Sequence, residues 1–162
     1  MVKQVFLKIE QNQPLTDTVC QMVLSGDVSG ITAPGQFVNL KLDGLYLRRP
    51  ISVCDLAEGR LTLVYKVVGQ GTEQMRTLPV GTILDVLVGL GNGYDTSKSG
   101  PRPLLIGGGV GIPPLYYLCC RLLAEDREPT VILGFNTAAG QFLAGEFAAL
   151  GVPVIVTTVD GS

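Results

Sequence analysis

The sequence contains no histidine, and only 16% of its 162 residues are charged. Without histidine the chain has neither a Ser-His-Asp triad nor a Cys-His pair, and it offers no imidazole to a metal ion. Its 12 Lys and Arg residues and 14 Asp and Glu residues give a net charge of −2. Because no basic patch is available to a phosphate backbone, nucleic-acid binding is not expected.

Cysteines are few and are poorly spaced for metal binding. Cys20, Cys54, Cys119 and Cys120 form no C-x-x-C motif and no other spacing typical of metal ligands. Two of them are adjacent, so on a helix their side chains would diverge by about 100°. This pattern is typical of thiols without a chemical role in a reducing cytoplasm, and no metal site is predicted.

Long apolar runs are also absent. No stretch reaches the roughly 18 to 20 apolar residues of a membrane span. Met1-Val2-Lys3-Gln4 leads directly into an alternating pattern instead of a signal peptide. We therefore expect a cytoplasmic protein that does not associate with a membrane.

Apolar residues nevertheless make up 46% of the chain, and in the first half they alternate with polar ones. Val5, Leu7 and Ile9 begin this pattern, which predicts a strand. Similar patterns follow at residues 16–24, 37–42, 45–53, 61–68 and 82–88, with a hairpin turn at residues 57–60 and a short helix at residues 72–78. Six short strands with frequent turns predict a closed antiparallel barrel, because closure removes exposed strand edges.

The pattern changes after Gly93. Residues 95–103 are polar and contain glycine and prolines, so we place a linker there, between a barrel domain at 1–98 and a second domain at 99–162. Strand patterns at 104–106, 130–135 and 154–158 alternate with helix patterns at 113–125 and 141–150, which predicts a parallel α/β sheet. Since a doubly wound sheet normally has five or six strands, we expect the sequence to be the front part of a longer protein.

Arg49 and Ser52 are candidate ligand-binding residues on the fourth predicted strand. The planar guanidinium of Arg49 suits a pyrophosphate, and the Ser52 hydroxyl both donates and accepts, as the edge of a flavin ring requires. Three residues of extended chain span roughly 10 Å, about the distance from a dinucleotide phosphate to its ring system. The alternative is a surface arginine followed by a serine at a strand end.

The segment Gly69-Gln70-Gly71-Thr72 is a second candidate. A helix that begins at Thr72 would present free N–H groups and a partial positive charge to an anion, and Gly71 would allow close approach. Lys66 on the preceding strand would add positive charge. An ordinary capped helix, with Lys66 on a solvated face, is the alternative interpretation.

A run of glycines, Gly107-Gly108-Gly109-Val110-Gly111, follows a predicted strand and opens a predicted helix, as a nucleotide-binding loop requires. The third glycine of the G-x-G-x-x-G fingerprint is replaced by Pro114, which suits a helix start. No acidic residue ends the second strand of this domain. A tight strand-to-helix turn without a ligand therefore remains an alternative.

In this order the segments resemble those of the ferredoxin reductase-like flavoproteins, in which an FAD-binding barrel precedes a pyridine-nucleotide domain. Arg49-Pro50-Ile51-Ser52 matches the superfamily's R-x-Y-S/T motif, with Ile51 at the aromatic position. Within that superfamily the chain is similar to the electron transfer subunits of type B dihydroorotate dehydrogenase. The segments that carry this similarity are residues 34–37, 47–52, 69–72, 90–94, 107–114 and 160–162.

The resemblance implies which residues bind cofactors. Those that would line FAD are Arg49, Pro50, Ile51, Ser52, Val64, Tyr65, Lys66, Gly71 and Thr72. Those that would face NAD are Gly107, Gly108, Gly109 and Gly111, together with the end of the third strand of the second domain.

The resemblance also implies an electron relay in pyrimidine biosynthesis. A partner catalytic subunit containing FMN would oxidise dihydroorotate, and electrons would pass through a [2Fe-2S] cluster to FAD and leave as hydride to NAD+. The family holds the cluster on four cysteines near its C-terminus, so we expect that region to be absent from this chain. Other interpretations are a different reductase subunit of the superfamily, such as a sulfide dehydrogenase or a ferredoxin:NADP reductase-like protein, and a non-catalytic barrel that docks a partner.

Overall fold

The computed structural model describes residues 1–162, and its first half is a closed antiparallel barrel of six strands. The strands are β1 (Lys3–Pro14), β2 (Val19–Ser25), β3 (Phe37–Leu40), β4 (Arg49–Ala57), β5 (Arg60–Lys66) and β6 (Ile83–Leu90). They close in the order β1-β2-β5-β4-β3-β6, which confirms the predicted architecture. A single helix, α1 (Gln70–Thr77), lies between β5 and β6.

The barrel interior is filled by the apolar positions of the alternating pattern. Leu7 and Ile9 of β1 are fully buried, as are Leu61 and Leu63 of β5. Successive side chains of a strand point to opposite faces, so this alternation directs one set inward and leaves the other to solvent or to neighbouring elements. The interior forms a hydrophobic core of 18 buried residues.

The predicted start of β4 is wrong by four residues. Residues 45–48 form a loop and not a strand: Gly44 has a positive φ of 74°, and the Leu45 N–H donates to the Leu42 carbonyl in a turn. At its other end, β4 continues past the predicted Val53 to Ala57 and turns into β5 through Glu58 and Gly59. Both turn residues have positive φ, at 53° and 74°, which matches the twist of a tight hairpin.

The second half contains a three-stranded parallel sheet, β7 (Leu104–Gly108), β8 (Thr130–Phe135) and β9 (Val154–Thr158), in that order. Helix α2 (Pro113–Ala124) follows β7, and helix α3 (Ala144–Ala149) follows β8, as predicted. Helix α3 is shorter than the expected 141–150. Leu143 adopts a left-handed conformation with φ 64°, which a regular helix cannot include.

One face of this sheet is exposed at β7. The unbroken apolar run Leu104-Leu105-Ile106 is typical of a strand that is covered on both faces, but only Leu105 is buried, while Leu104 and Ile106 are 55% and 66% exposed. Leu105 packs in the hydrophobic core with α2 and α3 residues, on the opposite face. The apolar run was correct as a strand signal, but an apolar run does not itself show that both faces are covered.

The two halves share a second hydrophobic core. Val19, Cys54 and Val64 on the outside of the barrel belong to the same buried cluster as Leu115 and Leu118 of α2. This apolar contact packs α2 against β4 and so fixes the barrel relative to the sheet. No helix is long and apolar enough to cross a membrane.

Candidate functional site

A groove opens in the barrel wall where β4 and β5 separate. The two strands pair from Ala57 and Arg60 as far as Val53 and Leu63, and no pairing continues beyond that point. Beyond it, β4 and β5 no longer pair with each other and form the two walls of a space of roughly 370 Å³. We call this space the barrel groove. Its lining residues are Arg49, Pro50, Ile51, Ser52, Val64, Tyr65, Lys66, Val68, Thr72 and Val110.

Arg49 lies at one end of the barrel groove, directly over the start of α1. A Cβ atom added to Gly71 would overlap its guanidinium and lie 2.6 Å from Arg49 Cζ, so the two residues are in close contact. Arg49 Nη1 donates to the Leu47 carbonyl at 2.6 Å, and no carboxylate lies within ion-pair distance of this side chain. The structure therefore brings together two elements that the sequence analysis had identified separately.

Arg48 points away from the barrel groove. Its Nη2 donates to both carboxylate oxygens of Asp85, at 2.9 and 3.0 Å, and its Nη1 donates to the carbonyls of Asn39 and Asp85. Adjacent residues of an extended chain point to opposite sides, which accounts for the different surroundings of the two arginines. Arg49, not Arg48, is thus available to an anion.

Helix α1 begins two residues earlier than predicted, with Gly69 as its N-cap, so Thr72 is the third helical residue and not the first. The Thr72 hydroxyl accepts the N–H groups of Val68 and Gly69 and donates to the Gly69 carbonyl. These bonds satisfy the side chain internally. The first N–H groups of the helix, on Gln70, Gly71 and Thr72, have no intrahelical acceptor and are the donors available to an anion.

A second and larger space, about 740 Å³, lies over the carboxyl ends of the parallel strands. We call it the sheet cleft. Its lining residues are Gly108, Gly109 and Val110 after β7, residues 134–137 with Gly140 and Phe142 after β8, residues 157–159 at β9, and Thr18, Val19 and Lys66 of the barrel. Ligands of open α/β sheets bind at this edge.

The glycine run contributes unequally to the sheet cleft. Gly108 and Gly109 line it, and Gly109 has a positive φ of 51°. Gly107 instead lies beneath α2, where an added Cβ would come within 2.6 Å of Leu115 Cδ1, and Gly111 lines neither space. The run therefore contributes both to the wall of the sheet cleft and to the close packing of helix on strand.

The start of α2 differs chemically from the start of α1. Its first two residues, Pro113 and Pro114, have no N–H group, and the Ile112 and Leu115 N–H groups already donate to carbonyls within the turn. This helix therefore presents no free donor in its first turn. Of the two helix starts, α1 is the one suited to an anionic pyrophosphate.

Comparison with known proteins identifies the family. The chain is 38% identical over 170 aligned positions to the dihydroorotate dehydrogenase B (NAD(+)) electron transfer subunit of Geobacillus sp. (strain WCH70), and 39% identical to that of Bacillus mycoides (strain KBAB4). Both alignments cover all of this chain, and 66% and 65% of the relatives. The chain belongs to this family. It spans just under two thirds of the length of these relatives. No protein-family model matches it.

Solved structures of other oxidoreductases are similar in fold to this chain. An NADH-dependent reduced ferredoxin-NADP oxidoreductase, studied for flavin-based electron bifurcation, superposes with a TM-score of 0.86 and 33% identity over 98% of this chain and 58% of its own. A ferredoxin NADP+ reductase from Neisseria gonorrhoeae with bound FAD and NADP has a TM-score of 0.84 at 17% identity, over 99% of this chain and 70% of its own. The latter likeness shows the shared fold.

The barrel groove and the sheet cleft of this family member meet at two residues, Lys66 and Val110, which line both spaces. Sequence analysis selected Lys66 but did not single out Val110, Thr18 or Val19. The position of Val110 between two glycines of a nucleotide-type loop was the only available signal for it. The placement of Thr18 and Val19 depends on the packing of α2 against the barrel, which has no local sequence signature.

Tyr65 lines the barrel groove, and its side chain belongs to the hydrophobic core of the barrel. The residue is buried, and its hydroxyl lies 3.0 Å from Asn12 Oδ1. Asn12 Nδ2 in turn donates to the carbonyls of Met75 and Leu78 at the end of α1. Burial raises the pKa of the Tyr65 phenol, so it stays neutral. This network ties α1 to the barrel.

Replacing Tyr65 with phenylalanine should lower the free energy of unfolding by about 1 kcal/mol, because the Asn12 oxygen loses its donor in a partly buried site. Urea denaturation measures the change. Tyr46→Phe is the matched control, since Tyr46 is 99% exposed, and it should have no effect. Equal stabilities of the two variants would contradict the proposed role of the network.

The four cysteines of this family member form no disulfide. Cys20, Cys54 and Cys119 are buried, and Cys120 is half-buried. Burial raises the pKa of Cys119 and of Cys120 to about 11, so these thiols are protonated at neutral pH. No group of three or more Cys, His, Asp or Glu side chains is arranged to hold a metal ion.

Asp55 is a half-buried carboxylate between the barrel and α2. It accepts the Leu56 N–H at 2.9 Å and forms no ion pair, and burial raises the pKa of its carboxyl from 3.8. The folded state therefore binds this proton more tightly than the unfolded chain. Its contribution to stability is present below about pH 3.8 and is lost as pH rises through the folded-state pKa.

Asp55→Asn should accordingly raise the free energy of unfolding at pH 7, by less than about 1 kcal/mol because the group is partly solvated. Below the ordinary carboxyl pKa the two proteins should have equal stability. Thermal unfolding between pH 3 and pH 7 tests both statements, with the exposed Asp17→Asn as control. A variant that is less stable at pH 7 would show that the charged carboxylate stabilises the fold.

Proposed function

We propose that this chain holds FAD in the barrel groove and a nicotinamide nucleotide in the sheet cleft, as part of an electron-transfer flavoprotein. The observation that carries the proposal is the contact between Arg49 and Gly71. It places an unpaired guanidinium beside the three free N–H groups of a helix start. Two positive elements that converge without a carboxylate favour an anion, and a pyrophosphate matches their geometry.

The remaining residues of the barrel groove suit an extended dinucleotide. From Arg49 the space follows the unpaired edge of β4 through Pro50, Ile51 and Ser52. Strand edges carry N–H and C=O groups without partners, and a flavin ring has donors and acceptors along its pyrimidine edge. Ile51 packs partly against the barrel core and offers an aliphatic surface at the position where the superfamily has an aromatic ring.

FAD bound in this way would supply the redox chemistry, and the chain's own residues would position it. Arg49 and the α1 N–H groups would hold the phosphates, and Ser52 would bind the ring. Val110 and Lys66 line both the barrel groove and the sheet cleft. These two residues would therefore lie between the flavin site and the nicotinamide site.

We further propose that electrons come from dihydroorotate, oxidised by an FMN-containing catalytic subunit, and leave to NAD+. The names of the relatives support this assignment. The four cysteines are too dispersed to ligate a [2Fe-2S] cluster, because Cys20 is in the barrel core and Cys54 is on its outer surface. A cluster in such a relay would be held outside these 162 residues.

A second candidate function is that of a different reductase subunit in the same superfamily. It is favoured by the 33% identity to the NADH-dependent reduced ferredoxin-NADP oxidoreductase. The two functions differ in the partner that reduces the flavin. Reduction by dihydroorotate in the presence of the FMN subunit supports the first, whereas reduction by sulfide or reduced ferredoxin supports the second. The convergence of Arg49 and Gly71 argues against a barrel that only docks a partner.

The experiment that tests flavin binding is release of the bound cofactor by heat, followed by chromatography against FAD and FMN standards. We expect FAD, because FMN lacks the pyrophosphate for which Arg49 and α1 are suited. Recovery of FMN alone, or of no flavin from protein reconstituted with FAD, would contradict the proposal.

A further inference from the structure

The guanidinium of Arg49 makes a single hydrogen bond, and its acceptor lies in the loop that precedes β4. Its Nη1 donates to the Leu47 carbonyl, and that carbonyl belongs to the peptide group that joins Leu47 to Arg48. The orientation of this peptide therefore decides where the acceptor lies. The side chains of Leu47 and Tyr46 are 67% and 99% exposed, so their packing restrains this peptide little.

The side chain of Arg48 supplies the missing restraint. It makes four hydrogen bonds, two to the Asp85 carboxylate and one each to the carbonyls of Asn39 and Asp85. Both partners of the ion pair are largely buried, with 22% and 17% of their side chains exposed. Asp85 is itself fixed, because Gln4 Nε2 donates to its carboxylate at 2.8 Å and it lies on a paired barrel strand.

We infer that Arg48 and Asp85 are positioning residues for cofactor binding, which act by fixing the peptide whose carbonyl orients Arg49. The inference rests on the proposed FAD site. A long arginine side chain loses considerable rotamer freedom when it binds, and an arginine already held in place loses less. Arg48 thus raises affinity for the pyrophosphate although its own guanidinium lies on the other side of the chain.

The test is a double-mutant cycle on FAD affinity, measured by flavin fluorescence with the apoprotein of the chain. Arg48→Met should weaken FAD binding about tenfold, and Arg49→Met should weaken it more. The double variant should bind no more weakly than Arg49→Met alone, because Arg48 acts through Arg49. Arg48→Lys keeps one charged contact with Asp85 and should recover part of the loss. Lys3→Met, which removes the exposed Lys3–Asp27 ion pair, should leave the affinity unchanged.

The outcomes separate this inference from the proposed function. Additive losses in the double variant, or an unchanged affinity in Arg48→Met, would overturn the positioning role while leaving the FAD site intact. Failure of the unmodified chain to bind FAD would overturn both. If Arg48→Met does not fold, Asp85→Asn takes its place in the cycle, since it removes the charge and one of the two acceptor oxygens in a side chain of the same shape.

Discussion

Replacing Arg49 with methionine should weaken FAD binding by about 10- to 150-fold, which corresponds to roughly 1.5 to 3 kcal/mol for loss of a charge-assisted hydrogen bond. Methionine keeps much of the aliphatic length of the side chain and removes the charge. The guanidinium has no carboxylate partner, and its one internal hydrogen bond is to a carbonyl, so its removal leaves no buried charge unpaired. Stability should therefore change little.

Titration of the apoprotein with FAD, followed by flavin fluorescence, measures the affinity of the Arg49 variant. Arg60→Met is the matched control because Arg60 is an exposed arginine at the far end of β5, next to the hairpin turn. The control should bind FAD as tightly as the unmodified chain. Equal affinities for all three proteins would show that Arg49 does not contact the cofactor.

Gly71→Ala should weaken FAD binding about 100-fold or more without unfolding the chain. A Cβ at this position would occupy the space of the Arg49 guanidinium and also project beside the free N–H groups of α1. The neighbouring atoms belong to the end of a flexible side chain, so Arg49 can move aside and the fold is kept. Gly71 is the second residue of α1, where alanine is favoured over glycine by up to about 1 kcal/mol.

The expected signature of Gly71→Ala is lost affinity with retained or increased stability. Thermal unfolding of the apoprotein and titration with FAD measure the two quantities on the same sample. Gly145→Ala in α3 is the control, because an added Cβ there meets nothing within 4 Å. If Gly71→Ala binds FAD normally, the phosphates do not lie against this helix start.

The local elements of the barrel and of the parallel sheet could be predicted because they depend on residues close together in the chain. Alternation at Val5, Leu7 and Ile9 already determines which side of β1 is buried. The predicted ends of the strands were less accurate where contacts with distant residues affect the chain. Residues 45–48 look like a strand by composition, but they form a loop that follows a turn at Gly44, and Arg48 pairs there with Asp85, which is far away in sequence.

By itself, the sequence determined the barrel, the parallel sheet and the residue types suited to a dinucleotide, since these follow from periodicity and from the chemistry of arginine and glycine. Only the tertiary structure decided which arginine is available, because Arg48 is paired with a carboxylate on a distant strand and Arg49 is not. It also decided that Arg49 lies on Gly71, since that contact depends on how β4 and β5 separate at the end of their pairing. Strand separation arises from contacts across the whole barrel, and no pattern of neighbouring residues encodes it.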